Sequence, residues 1–305
     1  MLRDAAERLG IRPALPRDRR VLVLVAVSVA TAAIWAYALL PGARQLELTI
    51  LDVGEGLSMV LRTPSGRTMV VDCGTSSWRD DESVGTKLVA PYLQSLGVDT
   101  IDVAVLTHPH ADHLVGYARL LAAKPAKLVL DIGQKSRSPY YKRFLRAVKA
   151  CGARYRIARR GQSLDMGDGI VVHVLNPDPA RRYENLNDKS IAMRVVFKQV
   201  AFLLAGDTQE TAESYMLRSR MPLRSDVLQV GHHGSDGGTT SEWIAAVRPR
   251  VAVVSCGRRN EYGHPSRDVV RRLTASGARV FRTDKDGAVC VTTDGREIRV
   301  RRFGR

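Results

Sequence analysis

The chain lacks closely spaced cysteines. Its four cysteines, Cys73, Cys151, Cys256 and Cys290, are far apart in a sequence of 305 residues, and none forms a CxxC pair. A zinc site built on paired cysteines is therefore unsupported, and no dense disulfide framework is available. We expect these cysteines to be small buried side chains.

Acidic residues are scarce relative to basic ones. The sequence has 31 Asp and Glu against 47 Lys and Arg, which gives a formal net charge of +16. A hydrophobic content of 45% is sufficient for a large core and excludes global disorder. The positive charge suits an anionic partner, either a phosphate backbone or an acidic membrane surface, although an arginine-rich genome produces the same balance.

One long apolar run lies near the N-terminus. Residues 21–40 carry no charge, Arg17, Arg19 and Arg20 precede them, and Pro41-Gly42 follows. This pattern predicts a basic cytoplasmic segment (1–20), a single-pass transmembrane helix acting as a signal anchor (21–41), and an extracytoplasmic domain (45–305) held at the cell membrane. Ala36-Tyr37-Ala38 resembles a cleavage site, so a cleaved signal peptide is the first alternative and a buried helix of a soluble protein the second.

From residue 45 onward, short apolar runs alternate with helical patterns. We predict helices near residues 84–96, 114–123, 140–149, 210–218, 242–246 and 267–276, with strands between them. Such alternation indicates a layered α/β fold. The sequence shows no internal repeat and no low-complexity linker.

Histidines are concentrated just after predicted strands. The segment LTHPHADH places four potential ligands within six residues, namely His108, His110, Asp112 and His113. Imidazole and carboxylate groups together suit zinc or a similar divalent ion, and a solvated polar turn explains the pattern less well.

Three further segments are weaker signals when taken alone. Asp207 ends the strand FLLAGD, where it also fits a simple turn. His232 and His233 follow DVLQV and are equally compatible with a surface loop. His264 begins a helix, where it can bind metal or phosphate or simply pack, whereas His173 within a strand is expected to be structural.

These motifs together resemble the metallo-β-lactamase superfamily, and within it the hydrolase domain of ComEC-type DNA-uptake proteins. The resemblance runs from residue 46 to 301 and rests on LDVGEGLS, VVDCG, LTHPHADHLVG, NDKSIAMRV, LLAGD, LQVGHHGS, YGHPS and TDKDGAV. It implies an αββα sandwich, here preceded by the predicted transmembrane helix, with metal ligands on loops at one edge of the two sheets.

The resemblance also implies two divalent metal ions, with zinc as the first expectation and manganese as the second. Their ligands would be His108 and His110 for the first ion, Asp112 and His113 for the second, Asp207 as a bridge, and one of His232 and His233 for the second site. Asp72 would support the ligand loop from outside.

This sequence departs from the family pattern at two places. Asn187 and Asp188 occupy the segment where many members supply another histidine, so the first ion would be held weakly by one of them or by water. Glu55 and Leu57 replace the Gln and Asp that ComEC-like domains usually have in the first motif. Substrate handling or metal occupancy is therefore expected to differ.

The resulting functional hypothesis is an exported, membrane-anchored phosphodiesterase or nuclease acting on DNA, with DNA-uptake or envelope machinery as partners. Asp112 would orient the attacking water, and Lys189, Ser190 and His264 would hold a phosphate or protonate a leaving oxygen. Residues 135–160, which are basic and contain interleaved tyrosines, would follow a nucleic-acid backbone or form a solvated surface. The alternatives are a hydrolase of a small phosphoester, lactam or ester, and a non-catalytic metal-binding module that grips DNA.

Overall fold

A computed structural model describes residues 18–39, 45–76, 83–258 and 260–304, and it divides the chain into two units, Met1–Arg44 and Gln45–Arg305. In the first unit, helix α1 (Arg19–Leu39) covers most of the apolar run. Most of the predicted basic segment lies outside the described residues. Within the described ranges, no helix meets the length and apolarity needed to cross a membrane, so the predicted transmembrane helix is not found there.

The second unit is built on two sheets. The strands are β1 (Leu46–Ile50), β2 (Met59–Arg62), β3 (Thr68–Val71), β4 (Ile101–Val105), β5 (Ala126–Asp131), β6 (Arg154–Ile157), β7 (Ser163–Asp165), β8 (Ile170–Asn176), β9 (Ala192–Phe197), β10 (Val200–Leu204), β11 (Val227–Gln229), β12 (Val251–Val254), β13 (Arg279–Arg282), β14 (Ala288–Thr293) and β15 (Ile298–Phe303). The first sheet has eight strands in the order β15-β14-β1-β2-β3-β4-β5-β6, and the second has seven in the order β13-β12-β11-β10-β9-β8-β7. Neighbours are parallel from β3 to β6 and from β10 to β13, and antiparallel elsewhere.

Helices connect the strands. They are α2 (Ala90–Ser95), α3 (Ala111–Leu114), α4 (Tyr117–Ala123), α5 (Pro139–Ala150), α6 (Glu210–Leu217), α7 (Ser241–Val247), α8 (Arg267–Ala275) and α9 (Thr283–Asp286). A π-helical turn (Gly85–Val89) precedes α2, and 3₁₀ turns occur at Asn187–Lys189 and Gly231–Gly234.

The core has three apolar layers, which follow from side-chain alternation along the strands. In β4, Val103 and Val105 enter the layer between the sheets, whereas Ala104 faces the helices. Leu93 of α2 and Phe144 of α5 belong to the layer outside the first sheet. A third layer, outside the second sheet, contains residues of α6, α7 and α8 such as Met216, Trp243 and Leu273. Four structural layers enclose these three cores, so the predicted αββα sandwich is confirmed.

Two predicted helices differ in detail from those in the structure. The helix expected at residues 84–96 starts as a π-helical turn, and the one expected at 114–123 is divided between α3 and α4. The division lies at Gly116, where an added Cβ would approach Val84 Cγ1 to 2.6 Å and Cys73 Sγ to 2.7 Å. The Gly116 N–H donates to the Cys73 carbonyl oxygen at 2.8 Å, so this tight contact with the chain after β3 replaces regular helix geometry.

Parallel strands bring the chemically interesting loops to one edge of the sandwich. In the first sheet Asp72 follows β3 and the His108 segment follows β4, and the carboxyl ends of these strands are adjacent. In the second sheet Asp207 follows β10 and the two adjacent histidines follow β11.

Candidate metal centre

The His108 segment leaves β4 as a buried turn and becomes helix α3. His110 has an extended backbone (φ −78°, ψ 155°), and helix α3 begins at the next residue, so Asp112 and His113 lie in its first turn. His108 and His113 are fully buried, whereas His110 is exposed. The side chains of His108 and His113 therefore lie in the protein interior, whereas that of His110 lies at the surface.

Four ligand groups converge at the edge of the sandwich. Ligand atoms of Asp112, His113, Asp207 and His233 all lie within 4.8 Å of one another, and we call this set the ligand cluster. His113 Nε2 is 3.1 Å from Asp207 Oδ2, and His233 Nε2 is 3.3 Å from Asp112 Oδ2. The other Asp207 oxygen, Oδ1, is buried and has no hydrogen-bond partner among the described residues. Two imidazoles, two carboxylates and an unsatisfied buried oxygen fit a divalent cation such as zinc or manganese.

Charges within the ligand cluster shift its pKa values strongly. Burial acts to lower the pKa of His113, but the carboxylates of Asp207, Asp112 and Asp72 raise it well above its usual value. The pKa of His233 rises to about 9, because Asp207 and Asp112 outweigh its burial. Burial acts to raise the pKa values of Asp112 and Asp207, but the histidines hold both low. Protons on the two imidazoles of the ligand cluster thus balance the negative charge of its two carboxylates. A bound cation would displace those protons.

Asp72 occupies the supporting position that the resemblance implies. It is fully buried, and its Oδ2 accepts from His113 Nδ1 at 2.7 Å. Thr107 donates both its backbone N–H and its hydroxyl to the same carboxylate, each at 2.7 Å. This arrangement fixes the ring of His113 so that Nε2 faces the ligand cluster. Thr107 was not singled out from the sequence, although it lies inside the histidine motif.

The structure separates the two adjacent histidines. His233 Nδ1 donates to the Ser255 carbonyl oxygen at 3.0 Å, which leaves Nε2 for the ligand cluster. His232 instead places its Nε2 3.1 Å from Asn187 Nδ2. Both histidines have left-handed backbones, with φ of 46° and 54°. The structure thus brings His233, and not His232, into the ligand cluster, and its role as a second-site ligand remains a prediction.

The residues expected to hold a first ion do not converge as closely as those of the ligand cluster. His108 Nε2 is 2.9 Å from His110 Nδ1 but 3.8 Å from Asp207 Oδ2. Burial, together with His113, lowers the pKa of His108 well below its usual value, so it is a neutral imidazole. Neither His108 nor His110 belongs to the one group of potential metal ligands found among the described residues. Binding of a first ion there remains a prediction.

The segment around Asn187 distributes its side chains in different directions. Asp188 is buried, and its Oδ1 accepts from the backbone N–H groups of Gln209 and Ala212, so it anchors the start of α6. The Lys189 ammonium donates to Gln134 Oε1 at 2.8 Å. Ser190 Oγ is buried 3.2 Å from His108 Nδ1, and it also accepts from the Asp207 N–H. The structure thus places Lys189 and Ser190 in supporting contacts, and a role for either on a substrate remains a prediction.

A cavity of about 470 Å³ opens beside the ligand cluster. Its lining residues are Glu55, Ser76, His110, Ala111, Asp112, Tyr140, Asn187, His232, His233, Tyr262 and His264. His264 thus lies in the cavity wall, with a pKa lowered to about 4 by burial and by the neighbouring His232 and His233, and its role on a substrate remains a prediction. The sequence does not indicate Ser76 or Tyr262 as site residues, and it marks Glu55 only as a departure from the family pattern.

The predicted basic segment borders this cavity through Tyr140. The guanidinium carbon of Arg143 lies 5.1 Å from the centre of the Tyr140 ring. Further along α5, Lys142, Arg146 and Lys149 are exposed. A basic helix therefore begins at the cavity wall.

Comparisons with known proteins agree with this geometry. The family model described as metallo-beta-lactamase superfamily matches residues 51–258. The chain is 33% identical over 258 residues to ComE operon protein 3 of Bacillus subtilis, which covers 80% of this chain and 32% of that protein. It is 32% identical over 243 residues to competence protein ComA of Neisseria gonorrhoeae, which covers 79% of this chain and 31% of that protein. The chain thus spans about a third of the length of these relatives.

Among solved structures, the metallo-beta-lactamase fold protein YhfI from Bacillus subtilis is similar, with a TM-score of 0.53 and 13% identity. The match covers 81% of this chain and all of that one, and it bears on the fold alone. The curated relatives confirm the resemblance to ComEC-type competence proteins that was drawn from the motifs.

Proposed function

Because this chain belongs to the metallo-β-lactamase superfamily and is a metal-dependent hydrolase of that fold related to competence proteins, we propose that it is a phosphodiesterase that cleaves DNA. One observation carries the proposal: Asp112 and His233 of the ligand cluster line a cavity from which a basic helix, α5, extends. A metal centre suits phosphoryl chemistry, and positive charge beside it suits a phosphate backbone.

In this proposal, different residues of the chain would bind the metal, orient its ligands and contact the water and the phosphate. Asp112, His113, Asp207 and His233 would hold a divalent cation, which when bound polarises a phosphoryl oxygen and lowers the pKa of water. Asp72 and the Ser255 carbonyl oxygen keep the rings of His113 and His233 oriented. The half-buried Asp112 carboxylate reaches the cavity, where it can orient the attacking water. His264 lies across the same cavity, where a ring N–H can donate to a phosphate oxygen.

A small substrate is the second candidate. The cavity volume of about 470 Å³ lies within the ~300–1,000 Å³ typical of small-molecule sites. A compact phosphoester, or a lactam or ester, would fit such a space without needing the basic helix. The two candidates therefore differ in whether residues outside the cavity contribute to turnover.

The test uses the full chain with zinc or manganese added in turn. Single-stranded DNA, double-stranded DNA and a simple phosphodiester are offered as substrates. We expect DNA cleavage that Asp207→Ala abolishes along with metal binding, because this buried carboxylate is central to the ligand cluster. Asp268→Ala, which removes a half-exposed carboxylate of α8 paired with Arg271, is the matched control and should remain active.

Each remaining outcome selects another reading. Turnover of the small phosphodiester without DNA cleavage favours the second candidate. DNA binding without turnover in the presence of either metal favours the non-catalytic metal-binding module that grips DNA. Wild-type metal content and activity in Asp207→Ala would refute the assignment of the ligand cluster itself.

Membrane attachment and export form a separate part of the proposal. They are supported by the charge-free run at residues 21–40 and by Arg17, Arg19 and Arg20 before it. In cells whose outer barrier has been opened, added protease should digest the domain at residues 45–305. Protection of that domain while a periplasmic control protein is degraded would contradict export. The similarity to competence proteins makes a DNA-uptake machine the first partner to examine.

A further inference from the structure

Tyr262 is an aromatic side chain left in solvent beside the candidate metal centre. It is 69% exposed, more than any other large hydrophobic side chain in the described part of the chain. One face of its ring lies against His264, with ring centres 5.7 Å apart and planes 22° from parallel. An apolar ring held flat at a cavity mouth is a surface on which another flat group can stack.

The ring of Tyr262 continues a series that leads to the ligand cluster. His264 is stacked in turn on His233, with ring centres 6.4 Å apart and planes 20° from parallel. Tyr262, His264 and His233 all line the same cavity. Two rings, Tyr262 and His264, would therefore separate a planar group stacked on Tyr262 from His233 of the ligand cluster.

The positive charge near the cavity indicates which kind of molecule would carry that planar group. Tyr140 lines another wall beneath the guanidinium of Arg143, and exposed Lys142 and Arg146 follow on α5. Aromatic rings beside basic side chains suit a polymer of flat bases joined by phosphates. The base faces of a duplex are covered by their neighbours, so only an unpaired base can use the ring of Tyr262.

We propose that Tyr262, backed by His264, stacks with an unpaired nucleobase of a single-stranded nucleic acid whose phosphate lies at the ligand cluster. The inference rests on the proposed function and names its substrate as single-stranded rather than duplex. His264 acts here as a support that holds the Tyr262 ring in place.

The experiment measures stacking separately from cleavage. A single-stranded DNA oligonucleotide containing 2-aminopurine, whose fluorescence falls when it stacks, is titrated with the full chain without added zinc or manganese. An abasic oligomer of the same length is the second probe. The variants are Tyr262→Ala, Tyr262→Phe and, as a matched control, Phe303→Ala, which removes an exposed aromatic ring at the end of β15.

We expect quenching by the wild-type chain, by Tyr262→Phe and by Phe303→Ala, because each keeps an aromatic ring at position 262. Tyr262→Ala should lose the quenching and bind the base-bearing strand about 5-fold to 100-fold more weakly, the range that removal of one base-stacking ring produces. The wild-type preference for the base-bearing strand over the abasic oligomer should shrink by the same factor.

Equal quenching and equal affinity in Tyr262→Ala would overturn the inference, as would equal binding of both oligomers by the wild-type chain. Cleavage assays with zinc or manganese then test the proposed function independently. A chain that cleaves DNA but does not quench keeps the function and loses the stacking site. A chain that quenches through Tyr262 without cleaving keeps the stacking site and loses the function.

Discussion

Gly74, in the VVDCG motif, has no space for a side chain. A Cβ at this position would lie 2.2 Å from both the Asp112 carbonyl carbon and the His113 nitrogen. The adjacent Cys73 N–H donates to the His113 carbonyl oxygen at 2.8 Å, so the two segments are held together at main-chain distance. The geometry of the ligand cluster therefore depends on a residue that carries no functional group.

Gly74→Ala should displace the turn that carries Asp112 and His113. Backbone atoms cannot yield as a flexible side chain would, so we expect a loss of at least ~1–3 kcal/mol in the free energy of unfolding and a lower metal content. Chemical denaturation and metal analysis measure these two effects. Gly304→Ala is the matched control, because the nearest atom to its added Cβ is 3.7 Å away. Unchanged stability and metal content in Gly74→Ala would show that the turn adapts.

Glu55 places a carboxyl group in the wall of the cavity that is proposed to take a phosphate. Its Oε2 accepts from the Gly257 N–H at 3.3 Å, and burial raises its pKa. We predict that Glu55→Gln lowers the KM for DNA by about 2-fold to 10-fold, because removal of a nearby negative charge weakens repulsion worth ~1 kcal/mol. The change should be larger at low salt than at high salt. An unchanged or higher KM would mean that the carboxylate does not oppose the substrate.

At the scale of elements, α5 is divided sharply between a buried and a charged face. Tyr141, Phe144 and Val148 pack into the core outside the first sheet, whereas Lys142 and Arg146 are exposed. Tyr140, at the start of the helix, reaches the cavity. The helix can therefore be altered on its charged face without a change to the ligand cluster.

Reversing the charges at Lys142, Arg146 and Lys149 to Glu should weaken DNA cleavage and flatten its dependence on salt. Each lost phosphate contact removes about one unit from the slope of log affinity against log salt. Hydrolysis of a small phosphodiester should change little. The matched control reverses Arg218, Arg220 and Arg224, which are exposed before the start of β11 and thus at the end opposite the ligand cluster. Equal effects of both triple variants would mean that net charge alone matters.

The sequence predicted the helices and buried strands of the domain well, because long apolar periodicity reflects burial directly. It did not indicate β6, all four of whose residues are exposed, or β7, which has only three residues. Nor did it show that the His108 segment contains the short helix α3. Each of these elements spans only three or four residues, which is too short for a periodic pattern of apolar side chains to mark it.

The candidate site was predictable where ligands share a motif and less so where distant loops meet. His108, Asp112 and His113 lie within six residues, and strand ends marked Asp207 and His233. Nothing local showed that Glu55 would contact Gly257, about two hundred residues away, or that Tyr262 would line the cavity. The choice between His232 and His233 required the position of Ser255.

At the scale of the whole molecule, the ligand cluster joins the two sheets. Asp112 and His113 follow β4 of the first sheet, whereas Asp207 follows β10 and His233 follows β11 of the second. A cation held by all four would link the halves of the sandwich. Metal binding and global stability are consequently expected to be coupled.

Addition of zinc or manganese to the metal-free chain should raise its thermal unfolding midpoint. Binding to the folded state alone contributes about 2.7 kcal/mol when the free metal is at 100 times its Kd. Differential scanning calorimetry with and without a chelator measures the shift. Asp207→Ala should show almost no shift, and Asp268→Ala should respond like the wild-type chain. A metal-independent midpoint in the wild-type chain would argue against a cation at the ligand cluster.

The left-handed backbones of His232 and His233 lower the stability of the fold at a place that activity requires. Non-glycine residues in this conformation cost about 1–3 kcal/mol each, and here two follow one another in the turn that presents a metal ligand. Glycine at either position would relieve backbone strain while removing an imidazole from the cavity. Directed evolution for thermal stability alone would thus tend to replace these histidines by glycine. A screen for more stable variants must therefore also select for turnover.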